Sequence, residues 1–378
     1  MTILDRYVLT KFLVPFAYCL VGFVAIWFIF DLADNLQDFL QGKANFDILV
    51  RYYFSQIPQI IVMSIPTGMM LALLYSLTAM SRKNEIISML GAGLSVERIL
   101  VPLFGAGIVL ALVTFYFNSE GAPHAEATKK QMLRDIKRGD GDKKEKALTG
   151  HLFRNREDNR TWFVRRFLPG QNELQDVQII QQDADMNITD IYYAPAMIYV
   201  PETREWVFKY AKRAKYGLDG SKGDTVSIWD WREGGWSETP WRISSSVMNP
   251  DYLSIHELQD YLTYNHDFTP ARLAPYRTHL HYRYALPAVC LVVVLLAAPM
   301  GIVYSRRGVL AGVMIAIGLF FSLVFVSSLF IAFGKGDRIP AWIAAWGPIG
   351  VYFAIGLILL WFRSTNRDIP KLRIPWLN

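Results

Sequence analysis

The chain is short of charge and nearly without cysteine. Asp, Glu, Lys and Arg make up 19% of its 378 residues, below the roughly one quarter usual in soluble domains, while 52% is hydrophobic and 14% aromatic. Disordered and fibrous classes are excluded on that composition. The two cysteines, Cys19 and Cys290, both fall in apolar runs and leave no pair for a zinc site or a disulfide framework. A nucleotide-binding loop is also missing. Gly42-Lys43 and Gly334-Lys335 have Gln37 and Leu329 where Gly-x4-Gly-Lys-Ser/Thr needs its first glycine, and no Ser or Thr follows either lysine. His-Glu-x-x-His and Gly-x-Ser-x-Gly do not occur, and His279-Leu-His281, the one close histidine pair, has an interfacial position. No catalytic residue, metal or cofactor is expected on this chain.

What the sequence does contain is long apolar runs. Phe12 to Phe30, Tyr52 to Met80, Ile99 to Asn118, Tyr284 to Ser305, Gly308 to Gly334 and Ile339 to Phe362 each run at least 19 residues without an acid or a base. About 20 helical residues cross a ~30 Å hydrocarbon core, so each run is long enough to span. The first is too long for the apolar region of a signal peptide and lacks a small-x-small cleavage site, which predicts a retained span.

Lys and Arg in short loops set the orientation. With the N-terminus in the cytoplasm, the inner segments hold 11 cations, among them Arg6, Lys11, Arg82, Lys83, Arg306 and Arg307, against 4 in the outer loops: Lys43, Arg51, Lys335 and Arg338. Residues 119–283 then lie outside and balance at 24 cations and 24 acids. The net charge of +6 is therefore an orientation signal and not a footprint for nucleic acid. Both termini are expected in the cytoplasm.

Composition changes sharply after span three. Glu120 to Leu148 is charged and Ala-rich, reads as a helix leaving the span, and is stopped by Gly139-Asp-Gly141. Residues 151–155 and 161–165 read as a hairpin, with further strands at 174–182, 190–200, 204–216, 225–231 and 236–244. Short strands at such intervals predict an antiparallel sandwich or jelly roll. Trp162, Trp206, Trp229, Trp231, Trp236 and Trp241 either fill its core or line a groove. Ser254 and Glu257 form a capping box for a helix over 255–264.

The fold class expected is thus an α-helical integral membrane protein with six transmembrane helices in a 3+3 arrangement and an inserted antiparallel β-jellyroll. Its parts are spans one to three (1–118), an outer domain (119–283, the jellyroll about 150–245), spans four to six (284–362) and a cytoplasmic tail (363–378). No carboxylate or histidine lies within the apolar runs, so ion coupling at membrane depth has no obvious carrier. Asp31, Asp34 and Asp38 follow span one at i, i+3 and i+7, roughly one helical face, and are either a solvated helix extension or part of a gate. Between spans two and three, Ser81 to Gly93 reads as a short amphipathic helix with Ile86, Met89 and Leu90 on one face and Arg82 and Glu85 at its start. Glu85 suits a helix N-terminus, and the loop also has the form of a coupling helix for a separate ATPase.

Ile3-Leu-Asp-Arg-Tyr-Val-Leu-Thr-Lys-Phe-Leu13, the loop Arg82 to Ser95, Asn249-Pro-Asp-Tyr-Leu-Ser-Ile-His-Glu-Leu258 and the three-plus-three spans around a β domain together resemble the lipopolysaccharide export permeases of the LptF/LptG type. The resemblance covers nearly the whole chain. It implies an inner-membrane subunit that pairs with a second such permease and a dimeric cytoplasmic ABC ATPase, which alone handles ATP. The complex would draw lipopolysaccharide or a related glycolipid from the membrane and pass it to periplasmic jellyroll bridge proteins. Glu85, Arg82, Ile86 and Met89 would couple to the ATPase. Spans one and five would form a lateral gate, placing Asp31, Asp34, Lys43, Lys335 and Arg338 in the head-group region. Acids there would repel a phosphorylated head by roughly 1 kcal/mol per close pair in water. Cations from the partner permease, a bridging divalent ion or a different glycolipid would resolve that conflict.

Overall fold

The computed structural model describes residues 2–42, 45–138, 148–168, 172–217, 221–245, 249–302 and 309–365. The chain divides into two compact units, one of Met1–Gly139, Pro250–Leu258 and Ala274–Asn378, the other of Asp140–Asn249 and Gln259–Leu273.

The first unit is helical. Six helices among the described residues are long and apolar enough to cross a membrane: Ile3–Gln41, Phe46–Arg82, Val96–Arg134, Pro270–Gly301, Gly312–Lys335 and Ala341–Ser364. The first two are α1 (Ile3–Gln41) and α2 (Phe46–Arg82), followed by the short α3 (Glu85–Gly91). α4 (Val96–Tyr116) does not stop at the apolar boundary. A π turn over Phe117–Gly121 carries it into α5 (Ala122–Arg138), the charged helix expected after span three.

The second and fourth spans form the centre, each 72% buried over its most apolar window, whereas the first and fifth are 11% and 17% buried. Leu73, Leu77, Met69, Val293, Val294 and Ala297 are fully buried in the central cluster. Ionic and polar ties fix the helix ends: Arg98 Nη1 lies 2.8 Å from Asp5 Oδ1, and Ser81 Oγ donates to the Gly301 carbonyl at 3.0 Å. Close approach requires a glycine at Gly356, where a Cβ would stand 2.6 Å from that of Leu295, in keeping with small residues at helix crossings in membranes.

The second unit is an antiparallel sheet whose six strands pair in sequence order, β1 (Leu148–Asn155), β2 (Arg160–Leu168), β3 (Glu173–Gln182), β4 (Ile188–Val200), β5 (Glu205–Tyr216) and β6 (Lys222–Gly234). One row interrupts all five pairings. Gly150, Arg165, Asp176, Pro195, Tyr210 and Trp229 stand opposite one another and are skipped in every ladder, although the register is the same on both sides. Gly150, Asp176 and Tyr210 have φ of 67°, 52° and 54°. A left-handed residue cannot stay in an extended ladder, so alternate strands turn there, and Pro195 has no N–H to lose.

This crease shifts the phase of the buried positions. They take one step of two and one of three in each of four strands, the step of three always spanning the crease row: Trp162, Val164, Phe167 in β2; Leu174, Val177, Ile179 in β3; Tyr192, Ala194, Met197 in β4; Trp206, Phe208, Ala211 in β5. In an unbroken extended strand a step of three would put the two halves' apolar side chains on opposite faces; the turn at the crease lets both halves bury them on one side. The tryptophans accordingly divide: Trp162 and Trp206 are buried core, while Trp229, on the crease row, is 76% exposed.

The expected strand at 236–244 is not formed. Thr239 and Pro240 instead start α6 (Pro240–Ser245), with the Arg242 amide donating to Thr239 Oγ1 at 3.1 Å, a threonine cap followed by a first-turn proline. The capping box at Ser254 and Glu257 is present, at 2.7 and 3.2 Å, and opens α7 (Ile255–Tyr264). α8 (Pro270–Ala285), α9 (Val289–Gly301), α10 (Val309–Lys335) and α11 (Ala341–Ser364) complete the chain.

Candidate functional site

Two regions of the helical unit carry the residues singled out from the sequence. The first is the turn between α2 and α3. Asn84 adopts φ 59° there, a conformation asparagine tolerates, and lets α3 begin at Glu85. The helix ends at Gly91, and Gly93 at φ 89° allows the chain to leave toward α4. Tyr7 of α1 donates its hydroxyl to Glu85 Oε2 at 3.0 Å. Arg82, expected at the start of the short helix, is the last residue of α2 and is exposed. Ile86 is 1% exposed and packs in this chain's own core, with Met89 half-buried beside that core, as the inward face of an amphipathic helix does. The face that remains open is Arg82, Lys83, Asn84, Ile87 and Ser88.

The second region is at the C-terminal ends of α1 and α10. Asp31 is 6% exposed rather than solvated, because α2 and α5 cover it. Lys129 Nζ of α5 lies 2.5 Å from Asp31 Oδ1, and Tyr52 of α2 donates its hydroxyl to Oδ2 at 3.0 Å. Lys129 also sits over the Trp27 ring, 5.1 Å from its centroid. The charge of Asp31 is therefore compensated within the chain and is not the repulsive charge that the sequence alone suggests. Asp34 is exposed and Asp38 half-buried, so the three acids do not act as one face. Lys43 lies outside the described residues.

Lys335, at the end of α10, is engaged: its Nζ is 3.3 Å from Asp251 Oδ1. His279 Nε2 of α8 approaches the same oxygen at 2.7 Å. The buried Arg283 donates to the Asp251 carbonyl at 2.8 Å and to the Asn118 carbonyl at 3.3 Å, while Asn118 Nδ2 donates back to the Arg283 carbonyl at 2.9 Å. Contact with His279, opposed by partial burial and helped by Lys335, holds the Asp251 carboxyl far below the usual carboxylate range. His124 and Glu257 pair at 3.1 Å, and Lys130 contacts the Tyr252 hydroxyl. Residues 250–258 are thus fastened to α5, α8 and α10, and Arg283 ties them on to Asn118 in the π turn. Arg338 is exposed in the turn after α10.

Sequence reasoning missed Lys129, Tyr52, Asp251, Arg283 and Asn118. The Asn249 to Leu258 segment and the His279-Leu-His281 pair were the available signals for two of these partnerships. Nothing local marks Lys129 as the partner of Asp31.

Asp31→Asn is expected to destabilise the helical unit by about 2–3 kcal/mol. That is below the 3–5 kcal/mol typical of a fully buried broken pair, because 22% of the Lys129 side chain reaches solvent. Thermal unfolding in a bilayer mimetic reads this out, and Asp31→Asn combined with Lys129→Met should recover part of the loss. Equal melting of Asp31→Asn and the parent chain would remove the pair from the stability account.

Six spanning helices among the described residues and an inserted antiparallel sheet define a multi-pass membrane protein with a β-sheet domain. The family model described as "Lipopolysaccharide export system permease LptF/LptG" matches residues 6–362, and the chain belongs to that family. No curated protein sequence matches it.

Proposed function

We propose that this chain is one permease subunit of an ATP-driven exporter that takes lipopolysaccharide, or a related glycolipid, from the bacterial inner membrane. The observation that carries the reading is the family match over residues 6–362, joined to an uneven packing of the spans. α1 and α10 are the least covered by their own chain, at 11% and 17%, and so are the walls left for a second permease or for lipid. A lateral gate between subunits fits such walls. Both termini and α3 face the cytoplasm in this reading, which follows from the loop cations. The crease supports a jelly-roll-like periplasmic domain, since it makes one meander bury a common interior from both its halves. Periplasmic bridge proteins of like fold would receive the lipid from it. ATP is hydrolysed by a dimeric ABC ATPase that meets the α2–α3 turn, and Glu85 and the exposed Arg82 are the residues of this chain at that contact. With Asp31 and Lys335 already paired inside the chain, the exposed Arg338 and cations of the partner permease are left to meet a phosphorylated head group.

The chain isolated through a tag from its native membrane should carry a second six-span permease and an ATPase. Photoreactive lipopolysaccharide should crosslink to exposed positions of α1 and α10 such as Ile29 and Phe325. A chain that purifies alone, with no lipid adduct on either helix, would sink the reading in favour of a membrane-anchored receptor.

A further inference from the structure

A groove of about 480 Å³ runs along one side of α2, lined by Leu71, Leu74, Thr78, Arg82, Lys83 and Val313, with Tyr75 and Ala79 between them. Its chemistry changes along its length. Leu71, Leu74 and Val313 make one end apolar, and two exposed cations close the other. Leu71 to Lys83 is 12 residues, about 18 Å of helix, close to the ~15 Å half-thickness of a bilayer's hydrocarbon core. A groove of that depth fits one lipid of one leaflet.

Arg82 and Lys83, both exposed, stand where a phosphate would lie. Two cations with no acid among the described lining residues select a net negative head over a zwitterionic one, as basic pockets between spanning helices do.

We infer that the α2 groove is a binding site for an anionic glycerophospholipid, its phosphate on Arg82 and Lys83 and one acyl chain along Leu74, Leu71 and Val313. The inference shares Arg82 with the proposed ATPase contact, and its test is made on the chain alone, without ATPase or transport. On the topology above, the site faces the cytoplasmic leaflet and sets the lipid head beside Glu85.

The full chain, purified in detergent and offered equal amounts of phosphatidylglycerol and phosphatidylethanolamine, is examined by native mass spectrometry. Phosphatidylglycerol should be retained at least fivefold over phosphatidylethanolamine. R82Q/K83Q should bring the ratio close to one, and R82K/K83R should keep it, which separates loss of charge from loss of fold. A photoreactive residue at Leu71 should label lipid. Equal retention by the parent chain, an unchanged ratio in R82Q/K83Q, or labelling of a second protein chain at Leu71 would each overturn the assignment.

Discussion

Glu238→Ala is expected to cost the β-sheet domain about 3–5 kcal/mol, the largest stability effect of any single substitution considered for this chain. Glu238 is fully buried. Its Oε1 accepts from Asn155 Nδ2 at 2.8 Å, Arg160 Nε at 2.9 Å and the Trp162 indole at 3.3 Å, and its carbonyl accepts from the Trp206 indole at 2.7 Å. Alanine keeps the last bond and removes the others. Arg160, whose side chain is 10% exposed, would retain only Asp158 and the face of Trp236, 4.6 Å from its ring centroid. Set against a total of about 5–15 kcal/mol for a domain, that loss is decisive. The melting transition followed through the tryptophan signal should fall by roughly 15 °C or more. Glu238→Gln keeps an acceptor and most of the shape and should lose less. An alanine variant melting within a few degrees of the parent would mean that the surrounding donors find water or one another.

The parts of this fold that could be read from the sequence are those fixed by neighbours in the chain. Span lengths follow from apolar runs, and the Ser254–Glu257 capping box closes over three residues, so both are visible without tertiary information. The 236–244 stretch departs from the strand expected there because Thr239 caps and Pro240 starts a helix, α6. The crease is also written in the sequence, as the step from Val164 to Phe167 and from Ala194 to Met197, but a search for strict alternation passes over a phase slip. Only alignment of the strands shows that the slips share one row.

The site was less legible. Asp31 and Lys129 are 98 residues apart, and Lys335 and Asp251 are 84 apart. Nothing in spacing or composition couples residues at such separations. Helical periodicity placed Asp31, Asp34 and Asp38 on one face but could not say that α2 and α5 cover only the first. The same limit applies to Ile86: amphipathicity identified the apolar face of α3 correctly, yet only packing decides whether such a face turns toward its own chain or toward a partner.

Glu85→Arg is expected to abolish ATP-driven lipid release while leaving the chain folded, the largest functional effect proposed for a single substitution. Glu85 begins α3, and among the described residues its side chain is bonded by Tyr7 on the exposed surface, so little of the fold depends on it. What it supplies is a negative charge at the N-terminus of a short helix between two cations, Arg82 and Lys83, and the open residue Ile87. Arginine there adds a third cation and reverses the pattern offered to the ATPase. Like-charge contacts at an interface cost more than a missing favourable one, so reversal should exceed Glu85→Gln in effect. The measurement is ATP-dependent release of lipopolysaccharide from proteoliposomes holding the complex, together with recovery of ATPase on the tagged chain. At least a tenfold loss of release is expected for the arginine variant, and a smaller one for glutamine. Tyr7→Phe is the internal control: it removes the hydrogen bond but keeps the charge. If Tyr7→Phe loses as much activity as Glu85→Arg, the carboxylate serves to hold α3 against α1, and the ATPase contact must be sought elsewhere on the turn.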